Sequence, residues 1–139
     1  MALIQHNAKL NQLVIDLGRS LLQFVGEVSP WTPRNAETTR ETVARLVSRQ
    51  RDDVARLTEL LMARGHTVDF GMYPAEYTDL HFLSLKSLLP RVIANQEALV
   101  TELDEAAHTC VDDPDAVSVL RDILNSERAN TEELKTLRA

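Results

Sequence analysis

Five polar side chains fall where a helical reading of the chain places apolar ones. Gln50 interrupts the row Val43–Leu57, and Asp53 the row Leu46–Leu60. Gln96 interrupts Leu89–Leu103, Glu127 interrupts Leu120–Leu134, and Asn130 interrupts Ile123–Leu137. The pairs Gln50-x-x-Asp53 and Glu127-x-x-Asn130 have the i, i+3 spacing that points two side chains inward from one helical face. Helical bundles that hold a di-iron or di-manganese centre use this spacing as Glu-x-x-His on two helices, with a single Glu from each of the other two. Here neither pair has its histidine. Gln50, Gln96 and Asn130 offer only neutral amide oxygens, and Glu27 stands near the end of its helix. Asp53 and Glu127 are the carboxylates left near mid-height, too few to balance two metal ions. The expectation is therefore no metal site, no cofactor and no catalytic residue. Gln50, Asp53, Gln96, Glu127 and Asn130 instead form a buried, hydrogen-bonded polar layer that fixes the register of the helices. If an ion is held after all, Glu27, Asp53 and Glu127, helped by a histidine of the long connection after the second helix, are its ligands.

The remaining reactive side chains do not converge in the sequence. His6, His66, His81 and His108 show no i, i+3 or i, i+4 pairing, so they are expected as surface or capping residues. Cys110 lies two residues from His108 in a short loop, a pattern that fits a reactive thiol only if its pKa is lowered. Residues 34–64 carry seven Arg and five acids, interleaved. Such a stretch is expected as a solvated, ion-paired face, with Glu41–Arg45 and Asp52–Arg56 at i, i+4 spacing. Docking of an acidic partner is the alternative. Trp31, Tyr73 and Tyr77 stand in connections and are expected to close over the bundle rather than to anchor a partner.

Four helical segments must position these residues. The first runs from about Leu3 to Val28, with Leu3, Leu10, Leu17 and Phe24 at seven-residue spacing. It stops at Ser29-Pro30-Trp31-Thr32-Pro33, where two prolines forbid further helix. The second runs from about Ala36 to Arg64, with Asn35 as N-cap and Gly65 just past its end. The third runs from about Asp79 to Ala107, with Thr78 as cap and Phe82 on the buried row of Leu89 and Leu103. The fourth runs from about Pro114 to Leu137, opened by Asp113, Pro114 and Asp115. Helices of this length span about 40 Å. The connections at 29–35 and 108–113 are short and make antiparallel neighbours. The connection Gly65–Tyr77 can reach about 43 Å when extended. Val68, Phe70 and Met72 alternate in it, as in a strand laid on a surface. The fold expected is an all-α, single-domain (1–139) four-helix bundle with a long crossover between helices two and three.

Composition agrees with this. Aromatic residues are 4% and Gly plus Pro only nine residues, which disfavours sandwiches and barrels. A net charge of −6 disfavours nucleic acid and anionic membranes as partners. No stretch approaches the ~20 apolar residues of a membrane helix. Lys9 and Asp16 interrupt the apolar run of a leader, and a single cysteine fits a reducing compartment. A cytoplasmic protein is expected.

The hairpin–crossover–hairpin order, "LNQLV" and "SPWT" in the first hairpin and "YPAEYTDLHFLSL" entering the third helix give the chain a resemblance. It resembles small, uncharacterised bacterial proteins of the ferritin-like superfamily. That resemblance implies the ferritin-like fold. The superfamily's iron storage, peroxide reduction and di-iron oxidation depend on the Glu-x-x-His motifs, which are missing here. The function expected is a non-enzymatic interaction or structural module, as a homodimer. The alternative is a metal-dependent stress or oxidase protein with a degenerate carboxylate site.

Overall fold

A computed structural model describes residues 2–137, without the side chains of Ala2 and Leu3. Leu3's place in the first apolar row, and Met1, Arg138 and Ala139 of the expected domain, lie outside the described residues. Among the described residues every regular element is helical: α1 Ala2–Gln5, α2 Asn7–Gly18, α3 Leu21–Val28, α4 Glu37–Ala63, α5 Leu85–Thr109 and α6 Pro114–Lys135. The fold is an all-α helical bundle, and no helix among the described residues is long and apolar enough to cross a membrane.

The expected first helix is divided. Gly18, a weak helix former, precedes Arg19 and Ser20, where the chain leaves helical geometry. Ser20 has extended backbone, and its hydroxyl accepts from the Gln23 N–H, so it caps a new helix, α3. The second helix starts later than the sequence suggests. A single 3-10 turn over Arg34–Ala36, closed by Ala36 N–H donating to the Pro33 carbonyl, places Asn35 inside the turn and not at its head. Its other end matches the expectation. Gly65 is left-handed (φ 76°), His66 N–H reaches the Leu61 carbonyl and Gly65 N–H that of Met62, the paired closure of a Schellman motif.

The third helix also starts later, at Leu85. Ser84, not Thr78, is its cap, accepting from the Ser87 N–H at 3.2 Å. Residues Ala75–Leu80 form a 3-10 helix in which Tyr77 and Leu80 pack only partly on the core and no residue is fully buried, so burial does little to enforce α-helical geometry there. Phe82 consequently stands before the helix and is 91% exposed, off the row predicted for it. α6 begins as read: Asp113 accepts from the Ala116 N–H, and Pro114 occupies the first helical turn.

Two apolar clusters stack along the bundle. One joins Leu10–Leu17 of α2 to Leu57 and Leu61, Leu99 and Leu103, and Leu120 and Ile123. The other joins Leu21–Val25 of α3 to Val43–Val47, Leu85–Val92 and Leu134. The ends of α4 and α5 thus share one cluster and their starts share the other, so the two helices point the same way. The chain between them climbs the flank of α2 and α3. Asn11 Nδ2 donates to the Asp69 carbonyl and Asn11 Oδ1 accepts from the Asp69 N–H (2.8 and 3.0 Å). Arg19 Nε donates to the carbonyls of Phe70 and Gly71, and Tyr73 donates its hydroxyl to Glu27. Gly71 has φ +64°, and a Cβ there would stand 2.7 Å from Ile15, so this crossing point accepts only glycine at such close range. Val68 packs on the core, whereas Phe70 and Met72 are exposed; backbone bonds, more than the alternating apolar residues, seat the segment. Tyr73 and Tyr77 pack on Phe24 with ring centroids 5.5 Å away. Trp31, expected to close over the bundle, is 70% exposed instead; its carbonyl accepts from the Leu85 N–H.

Candidate functional site

The predicted polar residues meet between the two apolar clusters. Gln50, Gln96, Glu127 and Asn130 are fully buried, and Asp53 nearly so. Gln50 is the hub. Its amide donates to Gln96 Oε1 (2.7 Å) and to Glu127 Oε1 (2.9 Å). Its own Oε1 accepts from the Ser20 hydroxyl (2.7 Å) and from Gln23 Nε2 (3.0 Å). Two N–H groups and two lone pairs are the whole capacity of a carboxamide, and all four are used. Gln96 Nε2 adds a second donor to Glu127 Oε1 (2.9 Å), and Asn130 Nδ2 donates to Glu127 Oε2. Ser20 and Gln23 are members that the row pattern did not reveal. The signal was the Gly18–Ser20 break, which turns the Ser20 hydroxyl inward while it caps α3.

Asp53 lies against Glu127 and accepts from the Ser126 hydroxyl at 2.7 Å. Burial, then the hydrogen bond to Glu127, raises the Asp53 pKa to about 8, against a smaller opposing effect of Ser126. Two adjacent carboxyl groups removed from water hold one proton between them. A second such pair was not foreseen. Glu102 on α5 meets Asp16 on α2, and burial followed by that contact raises Glu102 to about 8 as well. Both carboxylates flank apolar rows, Leu13–Leu17 and Leu99–Leu103, and do not interrupt one, so row counting passes over them.

The sign of the resulting pH dependence is fixed. Asp53 and Glu102 bind protons in the fold at pH values where the unfolded chain, with ordinary carboxyl groups near 4, has released them. Stability must fall as pH rises from about 5 to about 8. Urea unfolding across that range should show a declining midpoint. In Asp53→Asn/Glu102→Gln the decline should largely vanish, because neither amide has a proton to lose; an equally steep decline in the double variant would contradict the assignment.

Glu27 does not join Asp53 and Glu127: it is exposed at the end of α3 and holds the Tyr73 hydroxyl at 2.9 Å. Among the described residues no three His, Cys, Asp or Glu side chains converge on a point. His6, expected as a surface or capping residue, stands at the N-cap position of α2 and is buried, with its Nε2 2.7 Å from an Asp112 oxygen. His108 is exposed with Nδ1 at the Asp104 carbonyl, and Cys110 is fully buried. Burial pushes the Cys110 thiol up, opposite to what a reactive thiol requires.

The arginines of α4 face α6 for the most part. Arg45 and Arg49 pair with Glu133, and Arg56 pairs with Asp122 at 2.8 Å. At the end of the helix Arg64 grips Asp113 through both terminal nitrogens (2.9 and 2.7 Å), with both side chains buried. The i, i+4 spacing therefore misdirected Arg45 and Arg56, which cross between helices instead of running along α4. No family model matches this chain, and neither a curated protein nor a solved structure matches it.

Proposed function

We propose that the chain is a ferritin-like four-helix bundle, α1–α3 counting as one broken helix, that works without enzymatic activity as an interaction module. Shared ends of α4 and α5 and the segment laid along α2 and α3 support the ferritin-like order, in which two hairpins are joined by a crossover. The observation that carries the functional reading is the closure of the polar layer upon itself. Glu127, the carboxylate any bundle-centre ion would need, accepts from Gln50, Gln96 and Asn130 and touches Asp53. An ion placed there would displace bonds already made. The layer's role is then register, and activity moves to the surface.

The partner in this reading is a second copy in the cytoplasm. Trp31 is 70% and Phe82 91% exposed, and both stand at the end of the bundle where α5 begins. Exposed large aromatic side chains are favoured anchors of protein interfaces. Across a two-fold axis the same patch meets itself, and these two uncharged side chains bring no like-charge repulsion to that contact in a chain of net charge −6. The alternative, a metal-dependent stress or oxidase protein, draws on the Asp53–Glu127 contact, where an ion would replace the shared proton.

One experiment addresses both. Protein purified without chelators should carry far less than one equivalent of iron, manganese or zinc, and its solution mass should be that of two chains. Trp31→Ser/Phe82→Ser should have the mass of one chain with unchanged helicity. Near-stoichiometric metal would favour the alternative, and a monomeric parent would remove the second copy.

A further inference from the structure

A cleft of about 210 Å³ opens between α3, the Ser29–Pro33 turn and α4. Its floor is apolar, made chiefly of Val25, Val43, Ala44 and Val47. Gly26, in the cleft wall, lets α3 approach α4 closely: a Cβ at that position would stand 2.9 Å from Val47 Cγ1. Arg40 and Arg51 also line the cleft. They are eleven residues apart, three turns of one helix, so they stand on the same face with their Cα atoms about 16 Å apart.

These two arginines differ from their neighbours. Arg45, Arg49, Arg56 and Arg64 all meet carboxylates. Among the described residues Arg40 meets only the Pro30 carbonyl, at 3.4 Å, and Arg51 only Gln23 Oε1, at 3.1 Å. An acidic protein has thus supplied acids to the other arginines of this helix while leaving two cations at opposite ends of an apolar trough. Ser29, in the cleft wall, is the one non-glycine residue with positive φ (45°) among the described residues. Strain of that kind persists where the surroundings enforce a particular shape.

We propose that this cleft binds an aliphatic dicarboxylate. The methylene chain would lie over Val43, Ala44 and Val47, with one carboxylate at Arg40 and the other at Arg51. Guanidinium groups accept carboxylates in charge-assisted, often bidentate geometry, and each is worth more beside an apolar surface than in open water. The cleft is smaller than ordinary ligand pockets of about 300–1,000 Å³, which selects an unbranched chain over a ring system or a whole lipid. A saturated diacid of about ten carbons is a little shorter than the separation of the two arginines, and a charge-assisted hydrogen bond closes the gap at each end. The cleft shares the Ser29–Pro33 turn with the proposed dimer surface, but its test reads ligand affinity and neither solution mass nor metal content, so either proposal can fail alone.

Titration calorimetry of the full chain with sebacate, decanoate and 1,10-decanediol tests it. Sebacate should bind at least tenfold more tightly than decanoate, and the uncharged diol should not bind measurably. Arg40→Gln should reduce sebacate to the affinity of decanoate, as should Arg51→Gln. Ala44→Phe, which fills the trough from an exposed position, should abolish binding of both acids without altering the helical circular dichroism. No sebacate binding, equal binding of sebacate and diol, or sebacate binding unchanged in Arg40→Gln and in Arg51→Gln would each overturn the proposal.

Discussion

Replacing Gln50 with leucine should cost about 3–5 kcal/mol of stability, more than a buried side chain of this size would suggest. The loss comes from the partners. Gln96 Oε1 loses its donor, Glu127 Oε1 loses one of two, and Ser20 and Gln23 each lose an acceptor on the far side of the same amide. Every orphaned buried group costs about 1–3 kcal/mol, and the leucine offsets part of the sum through apolar burial. Urea unfolding of Gln50→Leu against the parent checks the figure. Glu127→Gln provides the contrast. The new amide keeps an oxygen for Gln50 and Gln96 and puts an N–H toward Asp53 while giving up only the long Asn130 Nδ2 bond (3.4 Å), so its cost should stay below about 2 kcal/mol. Asp53 would then face a neutral neighbour, and its pKa should move back toward the ordinary carboxyl range. If Gln50→Leu were as mild as Glu127→Gln, the layer would not be the connected unit described here.

Seven-residue bookkeeping located this layer because a buried polar residue on an apolar row has few places to go other than another such residue. Gln50, Gln96 and Glu127 were legible for that reason. Ser20 and Gln23 were not, since a helix break turned them inward and a period assumes an unbroken helix. Asp113 and Gly65 were legible because their conformations are set locally, by a cap and by a left-handed C′ position. Asn35 and Thr78 looked equally good as caps. They failed because Pro33 and the only partly buried Ala75–Leu80 segment placed the true starts elsewhere. The direction of α4 relative to α5 followed from the reach of one connection. Phe70, Met72 and Phe82 show that an apolar residue in a loop is no guide to burial when backbone bonds do the seating. The Asp16–Glu102 pair was invisible because each carboxylate looks like ordinary surface in its own helix, and only the packing of α2 on α5 brings the two together.

Asp113→Ala should be the most damaging single change outside the layer, at about 3–5 kcal/mol for the broken pair with roughly 1 kcal/mol more for the cap. Asp113 ties two helix ends together. Its carboxylate caps α6 through the Ala116 N–H while holding Arg64 at the end of α4. Arg64 has little else. Its side chain is buried, and among the described residues its Nε meets no acceptor and its one further partner is Asn7 Oδ1 at 3.3 Å. Burial alone would raise the Asp113 pKa, but the Arg64 guanidinium and the Ala116 N–H outweigh it, and the group titrates below the usual aspartate range. A depressed carboxyl stabilises the fold at every pH above its ordinary value and loses that contribution only in stronger acid. Its pH signature is therefore opposite to that of Asp53 and Glu102, and the parent should be most stable near pH 4–5, between the two. Asp113→Asn separates the two duties, since an asparagine still accepts from the Ala116 N–H but leaves the arginine uncompensated. Arg64→Met in the Asp113→Asn background should then recover most of the loss, because a neutral, flexible side chain fills the volume of the arginine without its charge. Thermal unfolding of the four proteins in this cycle gives the coupling directly. A coupling near zero would mean that the arginine finds water in the folded chain, and that the contact between the two helix ends is incidental.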